Sequence, residues 1–126
     1  MKFAKRVFLI AGIYGLIVLL PLYFMEDRVG RDFPPAITHA EYYYGFAGAA
    51  AAWQVLLLFI STDPIRYRPM MIPPMLAKTS FFLAVAVLYL QQRASGTVLG
   101  YSMVDLALAI LFLVAYIRTP EMNKAR

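Results

Sequence analysis

Hydrophobic positions gather into four long runs separated by short polar stretches. Residues 7–25 are almost wholly apolar, and further runs cover 42–61, 73–91 and 98–117. Each holds about 19–20 residues, which at a rise of about 1.5 Å per residue crosses a hydrocarbon core of about 30 Å as a helix. None of them alternates with the dyad period of a membrane β-strand, and Leu, Ala and Phe dominate. The pattern predicts an all-α, polytopic membrane protein: a four-helix transmembrane bundle forming a single domain over residues 1–126.

The polar punctuation refines this. Pro21 falls in the last turn and a half of the first run, where neighbouring groups can satisfy the freed carbonyl. The first loop, 26–40, contains Gly30 and Pro34-Pro35 and reads as an extended, partly stiffened segment. In the second loop Asp63 is a candidate N-cap with Pro64 at the first helical position, predicting a single turn. Pro73-Pro74 opens the third run. The Ser-Gly turn within 92–97 makes runs three and four antiparallel neighbours. The first run is too long for a secretory signal, and no small-x-small cleavage site follows it. No internal repeat is evident, which leaves an inverted-repeat transporter without support.

Composition narrows the classes. At 62% hydrophobic and 15% charged residues, with a mean hydropathy of +0.67, the chain is too apolar for a soluble domain of its size. The absence of cysteine removes disulfides, thiolate metal sites, thiol oxidoreductase chemistry and a lipoprotein anchor. His39 is the single histidine, which excludes a bis-histidine haem within one protomer and a multi-histidine zinc site. No metal or cofactor is expected. The net charge of +5 does not point to nucleic acid, because the basic residues flank apolar runs and form no nucleic-acid motif. Instead they set orientation. With the N-terminus inside, the inner cations are Lys2, Lys5, Arg6, Arg66, Arg68, Arg118, Lys124 and Arg126, with Lys78 just within the third run; Arg28, Arg31 and Arg93 are outside. Cations are retained on the cytoplasmic side, so the expected location is the cell's inner membrane with both termini cytoplasmic.

Few polar residues lie inside the runs. Asp105 is the one acid well within them; an unpaired charge there costs roughly 2.5–3.5 kcal/mol on insertion scales, so it should face other helices. Tyr101, Asp105, Ala109, Phe112 and Tyr116 recur at helical spacing as an inward stripe. Lys78 is near enough to the inner boundary to reach the headgroups by snorkelling. Depth counting separates the Cα atoms of Lys78 and Asp105 by about 8–10 Å along the normal. Gln54 is therefore the expected partner of Lys78, and Tyr101 or Ser102 that of Asp105. Run two opens with Gly45-Phe46-Ala47-Gly48-Ala49-Ala50-Ala51-Ala52, small residues all round, and is expected to be a buried hub, with Ala11 and Gly15 as its mate on run one. A dimerisation surface is the functional alternative to packing within the chain. His39 and Glu41, beside Tyr42-Tyr43-Tyr44, read as an aromatic belt or as an outward-facing proton-transfer site. Arg66 and Arg68 read as orientation signals or as an anionic-lipid contact.

At His39-Ala40-Glu41-Tyr42-Tyr43-Tyr44-Gly45-Phe46, Trp53-Gln54 and Asp63-Pro64-Ile65-Arg66-Tyr67-Arg68-Pro69 the chain resembles small uncharacterised four-span membrane proteins of bacteria. The resemblance covers about the central half and implies no activity. In length and span count the chain is also similar to DoxX-like proteins and to the EXPERA group, whose members include sterol-handling proteins and isomerases. However, run one carries no acid or histidine for an EXPERA-type polar cavity. Small multidrug-resistance proteins are similar in size too, but they rely on a glutamate in the first span, where this chain offers only Tyr14. The sequence reading is a non-catalytic accessory or self-associating bundle whose partners are the lipid bilayer, a second copy or another membrane protein. The alternatives are a binder or isomerase of an apolar small molecule, and a small proton-coupled transporter.

Overall fold

Proline has no N–H to donate, and at Pro21 the first helix changes character: α1, Lys2–Leu19, tightens into a 3-10 turn over Leu20–Phe24. The computed structural model describes residues 2–125, which are all-α with no strand among them. Arg126 and the side chain of Lys124, both counted above among the inner cations, lie outside what is described. After the 3-10 turn come α2 (Glu26–Asp32) and α3 (Ala40–Thr62). A second 3-10 turn (Arg68–Met71) leads into α4 (Ile72–Leu90), followed by α5 (Gly96–Arg118) and a last turn, α6 (Met122–Ala125). Four helical stretches, Lys2–Phe24, Ala40–Thr62, Arg68–Leu90 and Gly96–Arg118, are long and apolar enough to cross a membrane. They outrun the apolar stretches because flanking polar residues such as Lys2, Thr62, Arg68 and Arg118 continue the helical backbone.

The connections obey local chemistry. Asp63 stops α3 and caps the next turn, its carboxylate accepting from the Arg66 N–H at 3.3 Å and its carbonyl from the Tyr67 N–H at 3.1 Å. Ser95 caps α5 by accepting from the Val98 N–H at 3.3 Å. The first loop departs from the extended segment expected of it. Residues 26–32 form α2, with Glu26 and Asp27 in its first turn and Arg31 in its last, charges that suit the helix dipole. The prolines expected to stiffen the loop act only beyond it.

Packing is pairwise. α1 lies along α3, and α4 along α5; the two antiparallel hairpins meet through α1 and α5, while α3 makes at most marginal contact with α4 or α5. The order across the molecule is α3, α1, α5, α4. The main core gathers Ala4, Phe8 and Ala11 of α1, Leu57 and Ile60 of α3, Met71, and Phe112 and Ala115 of α5. All of these lie toward the end that holds both termini. Phe8 and Phe112 stack there with ring centres 4.7 Å apart and planes inclined by 13°.

This arrangement corrects the expected hub. Of the small-residue stretch only Ala47 is fully buried; Gly45, Phe46, Ala49 and Ala52 are exposed. α3 borders a single long helix, so it can bury one stripe, and that stripe is Ala47, Gln54, Leu57, Ile60 and Ser61. The face expected to mate with that stretch is buried, at Ala11, Gly12 and Gly15, but Gly12 and Gly15 meet Leu58 and Gln54, beyond the stretch itself. A Cβ on Gly12 would come within 2.7 Å of the Leu58 side chain and 3.1 Å of the Gln54 carbonyl.

Candidate functional site

The polar residues inside the long helices divide between the two hairpins. In the α4–α5 seam, Lys78 Nζ donates to Asp105 Oδ1 at 3.2 Å, with side-chain exposures of 16% and 23%. This pairing replaces the expected one of Lys78 with Gln54. The reason is register. Lys78 lies twelve residues before the last residue of α4, and Asp105 nine after the first of α5. Counted from the turn that joins the helices, the offset is three residues, or about 4.5 Å, within reach of a lysine stem.

The expected company of Asp105 is occupied elsewhere. Ser102 is fully buried and donates to the Leu99 carbonyl at 2.7 Å, a back-bond typical of hydroxyls inside helices. Tyr101 is 61% exposed and points out of the packed core.

In the α1–α3 seam, Gln54 is 4% exposed. Its Nε2 donates to the Ala50 carbonyl at 3.1 Å, and its Oε1 has no hydrogen-bond partner. A Cβ added to Gly15 would land on the Gln54 side-chain amide, so Oε1 faces the Gly15 Cα in the manner of the weak C–H···O contacts made between closely approaching helices. Glycine leaves room here, since any Cβ would have to displace the Gln54 side chain. Nothing in the spacing of Gln54 announced that its partner would be a glycine.

At the loop end, His39 and Glu41 sit 3.3 Å apart with side chains 66% and 70% exposed. The His39 ring stacks on Tyr42 at 4.9 Å between centres. Water reaches both groups, and no contact joins them to Asp105. The neighbouring tyrosines are more committed: Tyr43 donates to the Leu22 carbonyl, and Tyr44 to Glu26 at 2.9 Å. These bonds tie α3 to the 3-10 turn and to the start of α2, a coupling that the tyrosine run did not reveal. Beside them an open groove of about 460 Å³ is lined by Glu26, Asp27, Gly30, Arg31, Ala36 and Ile37.

At the termini end, the two arginines of the second loop differ. Arg68 Nε donates to the Tyr116 carbonyl at 3.2 Å, and its guanidinium carbon lies 3.9 Å from the centre of the Tyr116 ring. Arg66 is exposed, 5.6 Å from the centre of the Tyr67 ring. Arg68 thus anchors the turn before α4 to the last turn of α5. The candidate residues therefore form separate small groups: an ion pair, an isolated amide, an exposed His–Glu pair and an aromatic-backed arginine. Comparison of the chain with protein-family models, curated proteins and solved structures finds no match.

Proposed function

We propose that this chain is an inner-membrane protein of four spans with both termini cytoplasmic, and that it acts without chemistry of its own, by self-association through α3. The observation that carries this reading is the outward face of that helix. Gly45, Ala49 and Ala52 recur on one side at helical spacing and are exposed, and a Cβ on Gly45 would touch nothing. Much of the exposed surface of the long helices is bulky, as at Ile10, Ile17, Leu76, Leu83, Leu90, Ile110 and Ile117. Other outward small residues, such as Ala77, Ser80 and Ala84 of α4 and Gly100 and Ala107 of α5, do not form a three-residue stripe that includes a glycine at this spacing. Bulky aliphatic residues suit contact with lipid tails. Small residues turned outward lose little there and gain close backbone approach when a second helix arrives.

The absence of native cysteine makes the test direct. Single cysteines at Gly45, Ala49 and Ala52, oxidised in native membranes, are expected to give disulfide-linked dimers, and cysteines at Ile17 or Leu83 are not. Equal cross-linking at all five positions, or at none, would sink the α3 interface. Tagging each terminus and labelling from one side of sealed vesicles tests the orientation separately.

A second reading rests on the Lys78–Asp105 pair, which is only partly covered. Ionisable groups within spans mark ligand or proton paths often enough to be treated as sites by default. In this reading the pair holds the polar head of an otherwise apolar molecule lying along the α4–α5 hairpin. A lipid or small molecule that co-purifies with the wild type and is lost in Asp105→Asn would favour it over self-association.

A further inference from the structure

We infer that the seam between the first turn of α1 and the last turn of α5 is a binding site for a phosphate group, carried either by an acidic lipid headgroup or by a soluble phosphate. A cavity of about 310 Å³ opens there, lined by Lys2, Phe3, Ala4, Arg118 and Thr119. Two of these five residues are cations and none is an acid. Among the described residues neither Lys2 nor Arg118 has an ion-pair partner, and Glu121, the nearest acid in sequence, is exposed and outside the lining.

The surrounding bonds explain why these cations are available. The last carbonyls of a helix need donors, and in α5 those of Ala115 and Tyr116 have them without Arg118. Thr119 donates its hydroxyl to the Ala115 carbonyl at 2.7 Å and its N–H to that of Tyr116 at 3.3 Å, while Arg68 adds a second bond to Tyr116. Arg118 is instead held over the Phe3 ring, its guanidinium carbon 4.7 Å from the ring centre. Stacking uses the face of a guanidinium and leaves its in-plane N–H groups to bind a ligand. The first turn of α1 adds backbone N–H groups without intrahelical partners and the positive end of an 18-residue helix. A tetrahedral anion with several acceptor oxygens matches this donor set.

Beside the cavity, Phe3 and Ala4 continue into the apolar core, so a lipid phosphate could enter with its tails along α1 and α5. Of the two loop arginines expected to make an anionic contact, Arg68 is already bonded to Tyr116 and Arg66 lies outside this cavity, so the site proposed here uses other cations. The lipid form of the proposal rests on the membrane-spanning reading, since it needs this end of the helices at headgroup depth; the soluble form does not.

The experiment uses the full chain and has two arms. In the first, nanodiscs of phosphatidylcholine with a minor share of phosphatidylglycerol are examined by native mass spectrometry for retained acidic lipid. Lys2→Gln and Arg118→Gln are each expected to lower retention roughly fivefold, and together about thirtyfold. Lys5→Gln and Arg66→Gln, which remove cations outside the cavity, should leave it unchanged, and Arg118→Lys, which keeps the charge but not the planar fork, should fall between wild type and Arg118→Gln. In the second arm, inorganic phosphate is titrated onto the chain in zwitterionic micelles and followed by phosphorus NMR line broadening. Variant-sensitive broadening there, with no lipid selectivity in the first arm, assigns the site to a soluble phosphate. If the cavity variants behave like the controls in both arms, there is no site. A chain that fails to enter nanodiscs would overturn the spanning reading and the lipid form with it, and the micelle arm then decides the site alone. Unchanged melting of each variant separates lost binding from lost fold.

Discussion

Lys78 and Asp105 meet at 3.2 Å across the α4–α5 seam, and this contact is the one ion pair between long helices among the described residues. Its two ends are not equivalent. A lysine left alone can carry its ammonium toward water on a four-carbon stem; an aspartate has one methylene and cannot.

Removing the lysine should therefore be the costlier change. Lys78→Met is expected to destabilise the inserted protein by about 2–3 kcal/mol, near the insertion cost of an uncompensated charge. Asp105→Asn should cost about 1 kcal/mol, since Lys78 can then snorkel. Lys78→Met combined with Asp105→Leu should recover to within about 1 kcal/mol of wild type, as buried pairs replaced by apolar residues commonly do. Unfolding equilibria in bicelles, with the single variant Asp105→Leu as the fourth corner, supply the double-mutant cycle. Additive single effects would mean that the pair has no coupling.

The α1–α3 seam depends on a residue without a side chain. Gly15→Ala places a methyl group on the Gln54 amide, and overpacking of this kind costs about 1–3 kcal/mol. Gln54→Ala in the same chain vacates that space, so the double variant should be more stable than Gly15→Ala alone. Equilibrium unfolding in mixed micelles checks the order of the two. A double variant no better than the single one would show that Gly15 is needed for another reason.

These two seams also mark how far the sequence could be read. The apolar runs were legible because length and hydropathy suffice, and so was the Asp63-capped turn, which depends on local residue types. The order of the helices was not. In helices that are apolar nearly all round, periodicity is a weak guide to which side meets which neighbour, and the stretch from Gly45 to Ala52 looked equally ready on every side. The Lys78–Asp105 pair was missed for a related reason: the turn between α4 and α5 sets its register, whereas depth had been counted from the ends of apolar runs. The role of Arg68 was hidden as well, since its partner Tyr116 is 48 residues away in the chain.

Arg68 should act through geometry rather than charge. Its single side chain bonds the Tyr116 carbonyl and covers the Tyr116 ring, so Arg68→Ala is expected to cost about 1–3 kcal/mol from the lost hydrogen bond and cation–π contact together. Arg68→Lys keeps the charge yet should recover less than half, because an ammonium lacks the planar fork. Tyr116→Phe, which keeps both ring and carbonyl, should be nearly neutral. Thermal unfolding of the three variants in one detergent decides; full rescue by lysine would make the contact purely electrostatic.

The turn between α4 and α5 holds a residue at odds with its backbone. Gln92 has φ of 60°, the left-handed region that a side chain disfavours and glycine tolerates. The conformation closes the helix end: the Arg93 N–H reaches back to the Leu88 carbonyl at 2.7 Å, and the Gln92 N–H to that of Tyr89 at 3.0 Å, satisfying carbonyls that α4 would otherwise leave bare. Gln92→Gly should therefore stabilise the hairpin by about 0.5–1 kcal/mol, the relief of backbone strain exceeding the extra freedom given to the unfolded chain. Gln92→Val, branched at Cβ, should lower stability by at least as much. Both are read as shifts in the unfolding midpoint, and opposite signs for the two variants are the expected result. A loss of stability in both would mean that the glutamine side chain itself contributes to the turn.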